Sequence, residues 1–125
     1  YNDHFGHQQG DACLITVAQA LASMLKRPAD VAARYGGEEF AAILPDTSAA
    51  QAVCHANAIR AHVAALALPH APAALRAHVT LSIGVASFSK GRLAEPASLI
   101  AAADKALYAA KRGGRDCVMV ESELF

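Results

Sequence analysis

The stretch Val31-Ala32-Ala33-Arg34-Tyr35-Gly36-Gly37-Glu38-Glu39-Phe40-Ala41-Ala42-Ile43-Leu44 decides how this chain is read. Two short apolar runs flank a glycine pair, and glycine alone adopts positive φ cheaply at both central positions of a tight turn. The expected element is a β-hairpin that turns at Gly36 and Gly37. Two carboxylates, Glu38 and Glu39, follow at once. Because successive strand residues point to opposite faces, they cannot share one environment. A turn without side chains that is followed by carboxylates suits a phosphorylated ligand and a hard cation. Taken alone, these residues also fit a surface hairpin with a solvated acidic edge.

Outward from the hairpin, the composition narrows the class. The 125 residues suffice for one domain with a single sizeable core. The chain is 54% apolar and 18% charged, which argues a globular protein and not a disordered one. Eleven basic residues balance 11 acidic ones, so no broad cationic surface for nucleic acid is expected. The three cysteines, Cys13, Cys54 and Cys117, are scattered and odd in number. They read as small core residues in a reducing compartment, and a cytoplasmic domain is expected. His55 and His62 lie two helical turns apart, too far to share a metal ion, and read as surface or packing residues. No run has the length of a membrane span. Whether a longer protein is attached to a membrane stays open.

In chain order, Tyr1–Gly10 reads as a polar loop. Leu14, Val17, Leu21, Met24 and Leu25 then recur at helical spacing, with Asp11 in the first turn, where an acid is favoured. Pro28 ends that helix. After the hairpin, Ser48 and Gln51 have capping-box spacing, and Val53, Ala56, Ile59 or Arg60, and Val63 form one face of a second helix ending near Leu66. Val79, Leu81, Ile83 and Val85 alternate as a strand with one buried face. Pro96 opens a third helix with Leu99, Ile100, Ala103, Leu107 and Ala110 on its apolar side. Gly113 and Gly114 end it, and a last strand spans Cys117–Val120. The order α-β-β-α-β-α-β argues an α+β (mixed α/β) fold, helices flanking a central, mostly antiparallel sheet.

Four separated stretches carry a resemblance. They are Asn2-Asp3-x-x-Gly6-His7-x-x-Gly10-Asp11, Arg34-Tyr35-Gly36-Gly37-Glu38-Glu39-Phe40, Thr80-x-Ser82-Ile83-Gly84-Val85, and Ala103-Asp104-x-Ala106-Leu107-Tyr108-x-Ala110-Lys111-x-x-Gly114-Arg115. In order and spacing they resemble the GGDEF family of diguanylate cyclases from Tyr1 to about Val120. The resemblance implies a fold related to nucleotidyl cyclase catalytic domains. It also implies condensation of two GTP into cyclic di-GMP and two pyrophosphates, with Mg²⁺ or Mn²⁺. Each domain would hold one GTP, so catalysis would require a homodimer.

Site residues follow from the resemblance, position by position. Gly36 and Gly37 would let the hairpin pass close to the phosphates, Glu38 would ligate the metal, and Glu39 would assist it or take the hydroxyl proton. Which glutamate acts as base stays open. Asn2 and Asp11 resemble the guanine readers, and an amide with a carboxylate can pair with that base edge. Lys111 and Arg115 would meet the triphosphate with fixed positive charge. His7, Asp104 and Tyr108 read as structural. The family's first strand, with an Asp-x-Asp-x-Phe-like motif before Asn2, is not in the sequence. Upstream residues are therefore expected to supply a second metal carboxylate, and beyond them a fused sensory or regulatory domain.

Arg27-Pro28-Ala29-Asp30 ends five residues before the glycine pair's first member, Gly36, where product-inhibited members of the family bind cyclic di-GMP. Arg27 and Asp30 would form that allosteric site. The arginine that such members often carry on the following helix is Ala58 here, with Arg60 two residues on. A second reading of the whole chain, from another class, is a non-catalytic module that binds GTP or cyclic di-GMP and signals by contact.

Overall fold

The computed structural model describes residues 2–36, 38–68, 78–87 and 96–121, with side chains from residue 12 onward. Gly37 and most of the connections expected over 68–77 and 87–95 lie outside the described residues. Seven elements follow the expected order: α1 (Asn2–Met24), β1 (Val31–Gly36), β2 (Glu39–Ile43), α2 (Ala49–Ala65), β3 (Ile83–Ala86), α3 (Pro96–Arg112) and β4 (Val118–Glu121). The fold is mixed α/β, as expected. The chain divides into two compact units, Tyr1–Asp46 with His62–Val79, and Thr47–Ala61 with Thr80–Phe125.

In the first unit, α1 begins at Asn2 and not after Gly10, which corrects the expected loop. Asp11 therefore lies well inside the helix and not in its first turn. Gly6 and Gly10 each disfavour helix by about 1 kcal/mol, but tertiary packing anchors the helix further along. Val17, Ala20 and Leu21 are buried, and propagation from a formed helix needs only one hydrogen bond per added residue. The strands β1 and β2 pair antiparallel from Val31 opposite Ile43 to Gly36 opposite Glu39. An apolar groove of about 530 Å³ between α1 and this hairpin is lined by Leu14, Ala18, Leu21, Ala32, Ala33 and Phe40, among others.

In the second unit, the predicted capping box forms. The Ser48 amide donates to Gln51 Oε1 at 3.0 Å, and the Gln51 amide donates to Ser48 Oγ at 3.1 Å. Two of the amides left open at the start of α2 are satisfied in this way. Ala56 and Ile59 are buried, on the face the spacing predicts. The strand expected over Val79–Val85 is shorter and shifted, Ile83–Ala86, and it pairs in parallel with β4 from Ile83 opposite Val118 to Ala86 opposite Glu121. Parallel strands need a crossover, and α3 is that crossover.

The buried row of α3 is Ala102, Ala106 and Ala110; of the predicted face Ala110 is buried, Leu99, Ala103 and Leu107 are half-buried, and Ile100 is exposed. Gly84 explains the choice. A Cβ there would lie 2.3 Å from both the Ala103 carbonyl oxygen and the Leu107 nitrogen. The helix backbone rests directly on the strand, and only alanine-sized side chains fit beneath it.

Candidate active site

The hairpin presents the two glutamates differently. Its register slips between Arg34 and Gly36, which leaves Tyr35 as an extra residue, and Gly36 pairs with Glu39. Gly36 is therefore the last paired residue of β1 and Glu38 stands in the turn, which corrects the expectation that Gly36 is a central turn residue; Gly37 lies outside the described residues. Glu38 sits exposed in the turn, and Glu39 is exposed in β2. Phe40 is half-buried and lines the groove against α1, which anchors the start of β2.

Gly36 is not left-handed, and among the described residues nothing lies within 4 Å of where its Cβ would stand. The fold around it does not require glycine. Its missing side chain leaves room for something from outside to approach the backbone.

Across from the turn, on α1, Cys13 reports on Glu38. Burial pushes the Cys13 thiol above its ordinary range, and the Glu38 carboxylate raises it further, since both disfavour a second anion. The sequence reading took Cys13 as a core filler and missed its position beside the hairpin. No local spacing links residues 13 and 38.

Asn2 and Asp11 both fall on α1, nine residues apart, which at the helical rise is about 13 Å along the axis. Their side chains lie outside the described ones.

Lys111 and Arg115 belong to the second unit. Lys111 is exposed in the last turn of α3. Arg115 lies beyond the helix, so the spacing of four is not a helical spacing here. The Arg115 amide donates to the Ala110 carbonyl at 3.0 Å, and Gly114 has φ 108°. This is a Schellman closure with Gly114 at the left-handed position. The left-handed run then continues, with φ 64° at Arg115 and 47° at Asp116. Aspartate tolerates that region, whereas arginine there costs on the order of 1–3 kcal/mol. Arg112, the neighbouring cation, lies over the Tyr108 ring at 5.7 Å and donates to its hydroxyl at 3.3 Å.

Asp116 is tied to α2. Arg60 Nη1 donates to Asp116 Oδ1 at 3.0 Å, with the two side chains 26% and 20% exposed. The sequence shows Arg60 as a candidate for the helix face or for product binding and gives no sign of this pair, because the two residues are 56 positions apart.

Arg27 and Asp30 do come together. The Asp30 amide donates to the Arg27 carbonyl at 3.0 Å, closing a turn with Pro28 at its second position. Arg27 Nη2 donates to Asp30 Oδ1 at 3.1 Å and also to the Pro45 carbonyl. The Asp30 side chain is 3% exposed and that of Arg27 is 50% exposed. A nearly buried carboxylate thus holds a half-exposed guanidinium at the surface.

For a hard cation, Glu38 offers the right donor type, an exposed carboxylate with space beside it at Gly36. Among the described residues, no three or more His, Cys, Asp or Glu gather into a metal-binding cluster. Among them, too, no helix is long and apolar enough to cross a membrane.

The profile of the diguanylate cyclase GGDEF domain matches residues 1–117. The chain belongs to the GGDEF family. It is 43% identical over 118 residues to response regulator PleD of Caulobacter vibrioides, covering 94% of this chain and 26% of that protein. It is 43% identical over 117 residues to diguanylate cyclase A of Treponema denticola, covering 94% of this chain and 30% of that protein. The chain therefore spans less than a third of either relative's length. Among solved structures, the GGDEF domain of DgcB from Caulobacter crescentus in complex with c-di-GMP superposes with a TM-score of 0.81 at 38% identity, covering 95% of this chain and 68% of that one. The active GGEEF domain of a diguanylate cyclase from Vibrio cholerae also gives 0.81, at 33% identity, covering 98% of this chain and 74% of that one.

Proposed function

We propose that this GGDEF domain, residues 1–125, is a diguanylate cyclase domain, joining two GTP into cyclic di-GMP with release of two pyrophosphates. The observation that carries the reading is the hairpin end, at Gly36 and Glu38. It has an exposed carboxylate, open space where a side chain would stand, and no demand from the fold for glycine. In phosphoryl transfer the protein mainly positions groups and stabilises spreading charge. Glu38 would hold a Mg²⁺ or Mn²⁺ ion, which usually takes one or two carboxylates with the rest from water and substrate phosphates. Bound there, the ion would neutralise charge on the phosphates. Glu39, in the strand beside the turn, would assist or take the proton of the attacking 3′-hydroxyl. The backbone at Gly36 and Gly37 would pass close to the phosphates, and Lys111 and Arg115 would hold the triphosphate through fixed positive charge.

Asn2 and Asp11 would read guanine. For both to reach one base, α1 has to give between them, and Gly6 and Gly10 are where a helix is cheapest to break. Each domain would carry one GTP, so two domains must meet.

The test compares the parent protein with Glu38→Gln at several enzyme concentrations, with GTP and Mg²⁺, and cyclic di-GMP read by mass spectrometry. Specific activity should rise with enzyme concentration until dimers saturate, and Glu38→Gln should make no product while still binding GTP weakly. GTP binding without product in the parent protein would instead establish a binding module. Full activity in Glu38→Gln would remove Glu38 from the mechanism.

A further inference from the structure

We propose that Arg60 is a positioning residue for Arg115, acting through Asp116. The proposal rests on the reading of Arg115 as a triphosphate contact, and it assigns the device that sets where that contact stands. Three successive residues, Gly114, Arg115 and Asp116, have left-handed backbone. Glycine adopts it freely and aspartate readily, but arginine does not, so the turn at Arg115 persists only if both sides are held. On one side the Arg115 amide is fixed to the Ala110 carbonyl at the end of α3. On the other side, Cys117 is fixed to β3, its carbonyl accepting the Ile83 amide at 3.0 Å. Between them Asp116 is gripped from α2 by Arg60, at 3.0 Å.

Several features make this pair a clamp and not a loose surface contact. Both side chains are about three-quarters or more buried, so solvent screens the pair weakly. Arg60 is itself oriented, with Nε donating to Asn57 Oδ1 at 3.4 Å one turn back on α2. The charge logic is also directional. Arg60 spends its cation on Asp116, whereas Arg115, at the neighbouring position, is exposed. Without Arg60 the carboxylate of Asp116 loses its ion pair to α2, the left-handed run relaxes, and the Arg115 guanidinium spreads over many positions. A contact made to substrate and transition state alike raises KM when it is lost and leaves kcat nearly unchanged.

The experiment measures KM, kcat and thermal unfolding on the full-length protein for Arg60→Ala, Asp116→Ala, Asp116→Asn and Arg115→Ala, and for the double variant Arg60→Ala/Arg115→Ala. Arg60→Ala and Asp116→Ala should each raise the KM for GTP on the order of tenfold with kcat little changed, short of the roughly hundredfold that an ångström-scale misplacement can cause. Asp116→Asn keeps Oδ1 as an acceptor and tolerates left-handed backbone, so its KM should stay near that of the parent. In the double variant Arg60→Ala should add nothing to Arg115→Ala, because its effect runs through Arg115. Should Arg60→Ala not fold, Asp116→Ala against Asp116→Asn carries the same comparison. Multiplying effects in the double variant, or a KM unmoved in Asp116→Ala, would overturn the proposal. An unchanged KM in Arg115→Ala would instead overturn the reading of Arg115 as a phosphate contact.

Discussion

Gly84→Ala should weaken this domain sharply, although it adds one methyl group to a strand. The added Cβ would meet Ala103 O and Leu107 N at 2.3 Å and Leu107 Cα at 2.8 Å. Ordinary contact begins near 3.4 Å, so strand and helix would have to part by about 1.1 Å, the difference between 3.4 and 2.3. All three atoms are helix backbone, so no side chain can rotate away. A gap of that size forfeits about a quarter to a half of each dispersion contact along Ala102, Ala106 and Ala110. Overpacking costs about 1–3 kcal/mol in ordinary cores, and a rigid helix backbone puts this site at the upper end, ~3 kcal/mol. The backbone at Gly84 is not left-handed, so alanine also recovers about 0.4–1 kcal/mol by restricting the unfolded chain. The balance is a loss of about 2–3 kcal/mol, or a melting temperature lower by roughly 10 °C for a domain of this size. Urea unfolding followed by far-ultraviolet circular dichroism measures it, with the midpoint moving and the slope unchanged. Gly113→Ala is the control, because its Cβ would approach helix carbonyls only to 3.2 and 3.8 Å. If Gly84→Ala unfolds within about 0.5 kcal/mol of the parent, the ordinary scatter of surface changes, α3 does not rest on Gly84 and the packing argument fails.

Three other outcomes follow from the geometry. Ser48→Ala removes the cap of α2 and should lower stability by about 1 kcal/mol in the same urea assay; no loss would mean that water satisfies those amides equally well. Cyclic di-GMP should inhibit turnover without competing with GTP, and Arg27→Ala/Asp30→Ala should relieve that inhibition. Arg27→Ala alone should be less stable than the double variant by about 1–3 kcal/mol, because it takes the guanidinium from a carboxylate only 3% exposed. Inhibition of equal strength in the double variant would reduce the motif to a turn. Finally, Cys13 should react with iodoacetamide more slowly than exposed Cys54, and Glu38→Gln should speed it by removing a nearby negative charge. Its folded thiol titrates above its ordinary 9.0, so the stability it contributes is complete below pH 9 and declines as pH rises beyond. Equal alkylation rates in the parent and Glu38→Gln would separate the hairpin turn from α1.

Signals confined to a few neighbouring residues were legible without coordinates. Ser48 and Gln51 announced their reciprocal cap, Pro96 opened α3, Gly113 and Gly114 closed it, and the spacing of Ala56, Ile59 and Val63 marked the buried side of α2. The motif around Gly36 and Glu38 was legible for the same reason. A turn and its carboxylates are adjacent in the chain, and their chemistry depends on residue type. Tertiary structure decided whatever depended on a partner. The start of α1 came from packing around Val17 and Leu21, which overrode the local preference of Gly6 and Gly10. Gly36 was drawn into β1 and out of the turn because pairing slipped at Tyr35, a choice made between two strands. The buried face of α3 went to Ala102, Ala106 and Ala110 because Gly84 let the helix come down onto the sheet, and larger residues could not follow. Arg60 and Asp116 lie 56 positions apart, and no periodicity joins them. Only the folded chain brings a guanidinium on α2 to the carboxylate that holds a left-handed turn.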